Sequence, residues 1–162
     1  MALLINIRQL EKGNVSLEGE LPASELDLEG VDELIRVEEP LQYDLEAEKL
    51  DNSILVQGTL ALNLQCECVR CLKSFVYPLE LTGWACHLPL EGDEKVPVAN
   101  DSVDLTPYLR EDILLEFPRH PLCKSDCSGL PKKAVSKPKK TAGTGRTNKT
   151  SSTWAELNKI KF

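Results

Sequence analysis

The chain has 162 residues, enough for one ordinary domain with an appendage, and its 5% aromatic content means that a core must be built from Leu, Val and Ile. The net charge of −7 combines −15 in residues 1–127, from 25 acidic and 10 basic side chains, with +8 in residues 128–162, from nine basic side chains and one acidic one. No apolar run reaches the roughly 18 residues of a membrane span and residues 1–9 are too polar for a signal peptide, which excludes a membrane protein and predicts a cytoplasmic one.

The first part of the chain predicts short antiparallel strands. Residues 3–7 form the first, and residues 15–21 alternate apolar and polar side chains with the strand period of two. Residues 22–28 predict a loop with a local turn, whereas residues 34–39 and 41–50 predict two further strands.

A long hairpin is the clearest prediction. Its first strand covers residues 53–66, where Leu60, Leu62, Leu64 and Cys66 fall on one face. Its second strand covers residues 74–86, with bulky side chains at Phe75, Tyr77, Leu79, Leu81 and Trp84. The sequence Cys68-Val69-Arg70-Cys71 lies between them, so we expect thiols at the hairpin tip.

One helix follows the hairpin. Residues 91–95 predict a charged turn, and residues 96–98 a possible short strand. Asp104 or Thr106 can cap a helix that has Pro107 in its first turn and ends before Pro118. The predicted fold class is therefore α+β: a single, antiparallel sheet-rich domain over residues 1–130, a meander or partly barrel-like, with one C-terminal helix.

The remaining residues predict a basic tail. Residues 131–152 are rich in Lys, Pro, Gly, Ser and Thr, a composition typical of a disordered linker, and residues 153–162 predict a short helical motif. Its candidate contacts with nucleic acid or a protein partner are Lys132, Lys133, Lys137, Lys139, Lys140, Arg146, Lys149, Trp154, Lys159 and Lys161. A solubilising linker, or an arm that folds back on the acidic domain, is the alternative.

Four of the six cysteines form two close pairs. Cys68 and Cys71 are a CxxC, and Cys123 and Cys127 are a CxxxC that follows after 51 intervening residues. In a reducing compartment such pairs are more typical of a metal site than of disulfides, and they match the ligand set of tetrahedral zinc. Reduced thiols without metal and redox chemistry remain open alternatives, although redox CxxC motifs usually lie at a helix N-terminus.

The other candidate residues favour no catalytic chemistry. Cys66 and Cys86 are interpreted as small apolar core residues. His87 and His120 are the only histidines, and no GxSxG, P-loop or HExxH motif occurs, so no nucleophile with a base can be assembled. The scattered carboxylates are typical of a solvated surface. We therefore predict a protein that is not an enzyme and has no small-molecule substrate.

Several stretches together resemble the YceD family, whose bacterial and plastid members are linked to accumulation and processing of large-subunit ribosomal RNA. The stretches that carry the resemblance are residues 6–10, 17–22, 68–72 with Phe75, 104–115 before Pro118, and 121–130. The resemblance covers nearly all of residues 1–130, and residues 154–161 are similar to the family's terminal segment. Pro131-Lys132-Lys133 stands where many relatives have further cysteines, and Ser151-Ser152-Thr153 replaces their Asp-Pro-Arg.

The resemblance implies an accessory protein of large ribosomal subunit biogenesis. We expect its partners to be the pre-ribosomal large subunit, ribosomal RNA, or a basic ribosomal or assembly protein, since the acidic domain would repel RNA while the tail would attract it. A thiol-based redox factor or metal-responsive regulator, in which the two cysteine pairs exchange, is the alternative hypothesis.

Overall fold

The computed structural model describes residues 2–131 and is rich in antiparallel strands. It confirms the α+β fold class, with a large sheet curled into half a barrel and one C-terminal helix. Apart from Pro131, the predicted linker at 131–152 and the helical motif at 153–162 lie outside the described residues.

Eight strands and two helices make up residues 2–131, and they follow in the order β1 (Leu4–Asn6), α1 (Ile7–Leu10), β2 (Val15–Leu21), β3 (Ile35–Val37), β4 (Leu41–Leu50), β5 (Ser53–Glu67), β6 (Ser74–Pro89), β7 (Val98–Ala99), β8 (Ser102–Asp104) and α2 (Thr106–Leu115). The large sheet has the order β2-β4-β5-β3, with β6 also paired to β5. A small sheet has the order β1-β8-β7. Every strand pair is antiparallel.

The long β5–β6 hairpin is present, as predicted, and β5 is the strand with which β3, β4 and β6 all pair. Leu60, Leu62, Leu64 and Cys66 are all buried on one face of β5, because every second side chain of a strand points to the same side. The prediction that Cys66 is a core residue is thereby confirmed. Cys86 is half-buried against the same core.

A bulge in β6 changes which side chains of this strand face the core. Gly58 pairs with Trp84 whereas Thr59 pairs with Thr82, so Gly83 is the extra residue. Gly83 has a φ of +75°, which a glycine adopts without steric cost. Odd-numbered Leu79 before the bulge and even-numbered Trp84 after it are consequently both buried.

The first predicted strand is shorter than expected. Residues 3–7 were predicted to be extended, but β1 ends at Asn6 and the short helix α1 begins at Ile7. The side-chain oxygen of Asn6 accepts a hydrogen bond from the backbone N–H of Arg8 at 3.0 Å, which stabilises the start of a helix. This local cap outweighs the apolar run that favoured a strand.

Two other short strands also differ from the prediction. The strand predicted at residues 34–39 is only Ile35–Val37, and that at residues 96–98 is replaced by the β7–β8 hairpin. Asn100 and Asp101 form the two-residue turn of this hairpin with φ values of +51° and +59°. Positive φ at both positions is the type I′ geometry, which suits a tight hairpin.

Helix α2 is fixed to the sheets by polar contacts. The indole N–H of Trp84 donates to the Asp112 carboxylate at 2.7 Å, which joins β6 to the helix. Pro107 lies in the first turn, as predicted, but the N-cap position is Leu105, which provides no side-chain cap, and not Asp104 or Thr106. The Asp104 carboxylate, one residue earlier, accepts from the backbone N–H of Thr106 at 2.9 Å. The helix ends at Leu115, before Pro118.

The hydroxyl of Thr106 joins the start of α2 to the N-terminal segment. It accepts the backbone N–H of Leu3 at 3.0 Å in a buried position, 103 residues away in sequence. Replacing Thr106→Val keeps the side-chain shape but leaves this N–H without its acceptor, so we expect unfolding to become easier by about 1–3 kcal/mol. Urea denaturation followed by circular dichroism measures the change. Thr106→Ser keeps the hydroxyl and is the control; equal losses in the two variants would contradict the role of the hydrogen bond.

Candidate metal centre

A tight turn at the tip of the β5–β6 hairpin presents the first cysteine pair. The backbone N–H of Cys68 donates to the carbonyl of Lys73 at 2.9 Å, and the N–H of Leu72 donates to the carbonyl of Cys68 at 2.8 Å. Leu72 has a φ of +60°, an uncommon conformation for a leucine, which reverses the chain directly after Cys71. The turn therefore places both sulfurs of the CxxC on one side of the tip.

The second cysteine pair lies in an irregular segment after α2. The backbone N–H of Val69 donates to the carbonyl of Pro121 at 3.0 Å, and the guanidinium of Arg70 donates to the carbonyl of Cys127 at 2.9 Å. These two contacts hold the segment against the hairpin tip. The sequence placed Arg70 beside the thiols but did not indicate that it bonds the opposite segment, because the partner is a backbone carbonyl 57 residues away.

The structure brings the four cysteine sulfurs together. The Sγ atoms of Cys68 and Cys127 are 3.8 Å apart, and those of Cys71 and Cys123 are 3.5 Å apart. All four lie within 4.8 Å of one another. Cys68 is buried, and the other three are half-buried.

These distances suit a tetrahedral metal ion. Four sulfurs at about 2.3 Å from one zinc ion are separated from each other by about 3.8 Å. The observed separations bracket this value, so an ion could be accommodated with small side-chain shifts. The donor set, four thiols from two short loops, is that of structural zinc sites. The four cysteines can thus hold a metal ion.

The environment of the sulfurs also favours a cation. The backbone N–H groups of Cys123, Cys71 and Arg70 hydrogen-bond the Cys68 sulfur and lower the pKa of this thiol to about 6, with the N–H of Cys123 contributing most and burial opposing the shift. The hydrogen bond with the Cys71 sulfur is the main reason that the pKa of Cys123 is raised to about 12. Thiolates this close repel one another, and a bound divalent ion removes that repulsion.

The other cysteines and the histidines do not join this cluster. Burial, together with Asp112, raises the pKa of Cys86 to about 11, which is expected of an unreactive core thiol. His120 is exposed and, like His87, is not part of the four-cysteine group. The ten predicted tail contacts, from Lys132 to Lys161, lie outside the described residues.

The chain matches a protein-family model. The model of the family described as "Large ribosomal RNA subunit accumulation protein YceD" matches residues 56–161, which is more than half of the chain. The chain belongs to the YceD family. The matched range begins within β5 and extends into the basic tail, whereas the sequence resemblance was placed on residues 1–130 and on the terminal segment 154–161.

Similar proteins are found in several bacteria. The uncharacterized protein ML1660 of Mycobacterium leprae is 31% identical over 56% of this chain and 46% of its own length. Rv2926c of Mycobacterium tuberculosis is 32% identical over 60% of this chain and 52% of its own length. YlbN of Bacillus subtilis is 27% identical over 51% of this chain and 49% of its own length. The chain therefore spans about half the length of the curated relatives it matches.

No solved structure matches the chain significantly. The part that the structure describes has no helix of the length and apolarity needed to cross a bilayer. The name of the YceD family refers to accumulation of large-subunit ribosomal RNA.

Proposed function

We propose that this YceD-family chain is a non-enzymatic accessory protein of large ribosomal subunit biogenesis in the cytoplasm, where it supports accumulation and processing of large-subunit ribosomal RNA. The family match over residues 56–161 is the observation that carries the proposal. The four-cysteine centre supports a structural role rather than a catalytic one, because all four ligand positions are thiols and none is left open for a substrate.

Zinc is the proposed ion, with Cys68, Cys71, Cys123 and Cys127 as its ligands. When bound, it would supply a cross-link between the hairpin tip and the segment after α2. The Val69–Pro121 and Arg70–Cys127 contacts already align these two segments, so the thiols converge with little rearrangement. The cross-linked hairpin tip and segment after α2 would then present a fixed surface to a partner.

The two oppositely charged parts of the chain are proposed to have different partners. Residues 1–127 carry −15, and they would repel RNA but attract a basic ribosomal or assembly protein. The tail, comprising the linker at 131–152 and the motif at 153–162, would contact ribosomal RNA or the pre-ribosomal surface through its basic side chains and Trp154. The family match continues through this tail, which supports including it in the function.

The alternative, a thiol-based redox or metal-responsive factor, has less support. The CxxC lies in a turn between two strands, whereas redox-active pairs usually begin a helix whose dipole activates the first thiol. The short Cys68–Cys127 and Cys71–Cys123 distances are also those that a shared metal ion produces. Reversible disulfides in protein that is purified without metal would favour this alternative.

Association with ribosome precursors tests the proposal. We expect the full chain to co-sediment with large-subunit precursors, and removal of residues 132–162 to weaken this association by about tenfold or more at moderate salt, since the tail supplies the phosphate contacts. A second variant keeps the tail length but replaces its nine basic residues by Gln, which separates charge from chain length. Quantitative blotting of gradient fractions measures the bound share. Absence of the full chain from precursor fractions would contradict the proposed function.

A further inference from the structure

The large sheet lacks a strand at one position. Strand β6 pairs with one edge of β5 along Ser53–Glu67, so β3 and β4 must share the other edge, one after the other. Strand β2 covers the outer edge of β4 but ends at Leu21, opposite Leu41. The outer edge of β3 therefore has no neighbouring strand in the described part of the chain.

A cleft of about 1120 Å³ opens at this position. Pro22 ends β2, and the following turns lead the chain away from the line that the strand would have continued. Residues of the loop at 29–33 and of the irregular segment at 38–40 also line the cleft. The cleft thus lies beside the edge of β3 at which a continuation of β2 would pair.

The lining of the cleft has an apolar part, here called the floor, and an acidic part, here called the rim. Its apolar lining comes from Pro22, Ala23, Val37 and Pro40. Five carboxylates line it against one cation, Arg36, and all five are exposed: Glu20, Glu29, Asp32, Glu33 and Glu38. Within residues 2–131, none of these five carboxylates belongs to an ion pair. A negative rim of this kind attracts cations and repels phosphates.

We propose that this cleft binds an extended segment of a basic protein, which adds a strand to the free edge of β3. Main-chain hydrogen bonds to β3 would align the segment, its small apolar side chains would cover the floor, and its Lys or Arg side chains would meet the acidic rim. With only Ile35–Val37 available for pairing, about three residues of the partner pair directly with the strand. The inference rests on the proposed function only for the partner's identity as a basic ribosomal or assembly protein.

A synthetic peptide tests the cleft without a known partner. The probe is a fluorescently labelled nine-residue peptide of alternating lysine and valine, titrated with the full chain and followed by fluorescence anisotropy. We expect saturable binding that weakens as salt increases, because the rim charges are exposed. A peptide of the same charge in which proline replaces valine cannot donate the backbone hydrogen bonds at those positions and should bind much more weakly. Equal binding of both peptides would overturn strand addition.

Paired variants locate the binding site. Glu33→Gln with Glu38→Gln removes two charges from the rim, and we expect the affinity for the lysine–valine peptide to fall by about fivefold. The matched control is Glu80→Gln with Glu94→Gln, which removes two exposed carboxylates outside the cleft. Both double variants therefore have the same net charge. An equal loss in both double variants would mean that the peptide responds to overall charge and not to the cleft.

The result is separable from the test of ribosome association. Peptide binding at the cleft depends on residues 20–40, whereas co-sedimentation is expected to depend strongly on the tail. Co-sedimentation without peptide binding would overturn the cleft proposal and leave the proposed function standing. Peptide binding without co-sedimentation would keep the cleft as a docking site for a basic segment and overturn the proposed ribosomal role.

Discussion

Replacing Cys123→Ala should abolish stoichiometric zinc binding and destabilise the domain. Cys123 belongs to the four-sulfur cluster, and its loss leaves three thiols, of which Cys68 is buried. Structural zinc contributes folding energy directly, so we expect a loss of roughly 3 kcal/mol or more and a fall in Tm of about 10 °C. Plasma mass spectrometry of protein purified without chelator measures zinc per chain, and calorimetry measures Tm.

The matched control for this change is Cys86→Ala. It also removes one thiol that packs against the core, but Cys86 lies outside the cluster, so about one zinc per chain should remain. Metal binding must also displace protons from the thiols, and zinc affinity should therefore fall as the pH is lowered. Unchanged zinc content in Cys123→Ala, or full-length protein in which all six cysteines are free thiols and no metal is bound, would refute the zinc centre.

Gly58→Ala should strongly destabilise the large sheet. Gly58 lies in the middle of β5, directly opposite Leu45 of β4. A Cβ atom built on Gly58 would overlap the carbonyl oxygen of Asp44 and lie 2.8 Å from Leu45 Cα, and both are backbone atoms that cannot rotate away. The two strands would have to separate, at a cost of roughly 3 kcal/mol or more.

Gly13→Ala provides a control with nearly the same backbone. Gly13 has a φ of +150° and Gly58 a φ of +155°, but a Cβ on Gly13 meets nothing within 4 Å. The φ angles are therefore similar, whereas the close approach of β4 occurs only at Gly58. In urea denaturation, we expect Gly13→Ala to lose about 1 kcal/mol and Gly58→Ala several times more. Similar losses would show that backbone conformation, not strand contact, makes glycine necessary at Gly58.

The sequence was most informative where one period or one spacing dominates. Strands β2 and β4 were predicted with the bounds that the structure gives them, residues 15–21 and 41–50, because apolar and polar side chains alternate through each strand. The two cysteine pairs were recognised from spacing alone, and the structure places their sulfurs together. Which ion they hold cannot be derived from spacing, since several soft metal ions accept four thiolates.

Features that depend on distant or single residues escaped prediction. The α1 helix depends on one side-chain cap at Asn6, within a run whose composition favours a strand. The β6 bulge at Gly83 depends on the register with β5, which no local pattern reveals. Asn100-Asp101, between Val98-Ala99 and Ser102-Val103, is a turn signal for the β7–β8 hairpin that could have been recognised. The cleft beside β3 results from the departure of β2 at Pro22, and its position depends on pairing among three other strands.

The contacts of the first and last segments of residues 2–131 affect how this part of the chain opens. Strand β1 pairs with β8, Leu3 is bonded to Thr106 over 103 positions, and Cys127 approaches Cys68 over 59 positions. Fraying from loosely held ends is the lowest-energy route by which many domains expose their backbone to proteases and solvent. Here each outer segment is anchored to a distant part of the chain, so peeling it off disrupts tertiary contacts and not only a local turn.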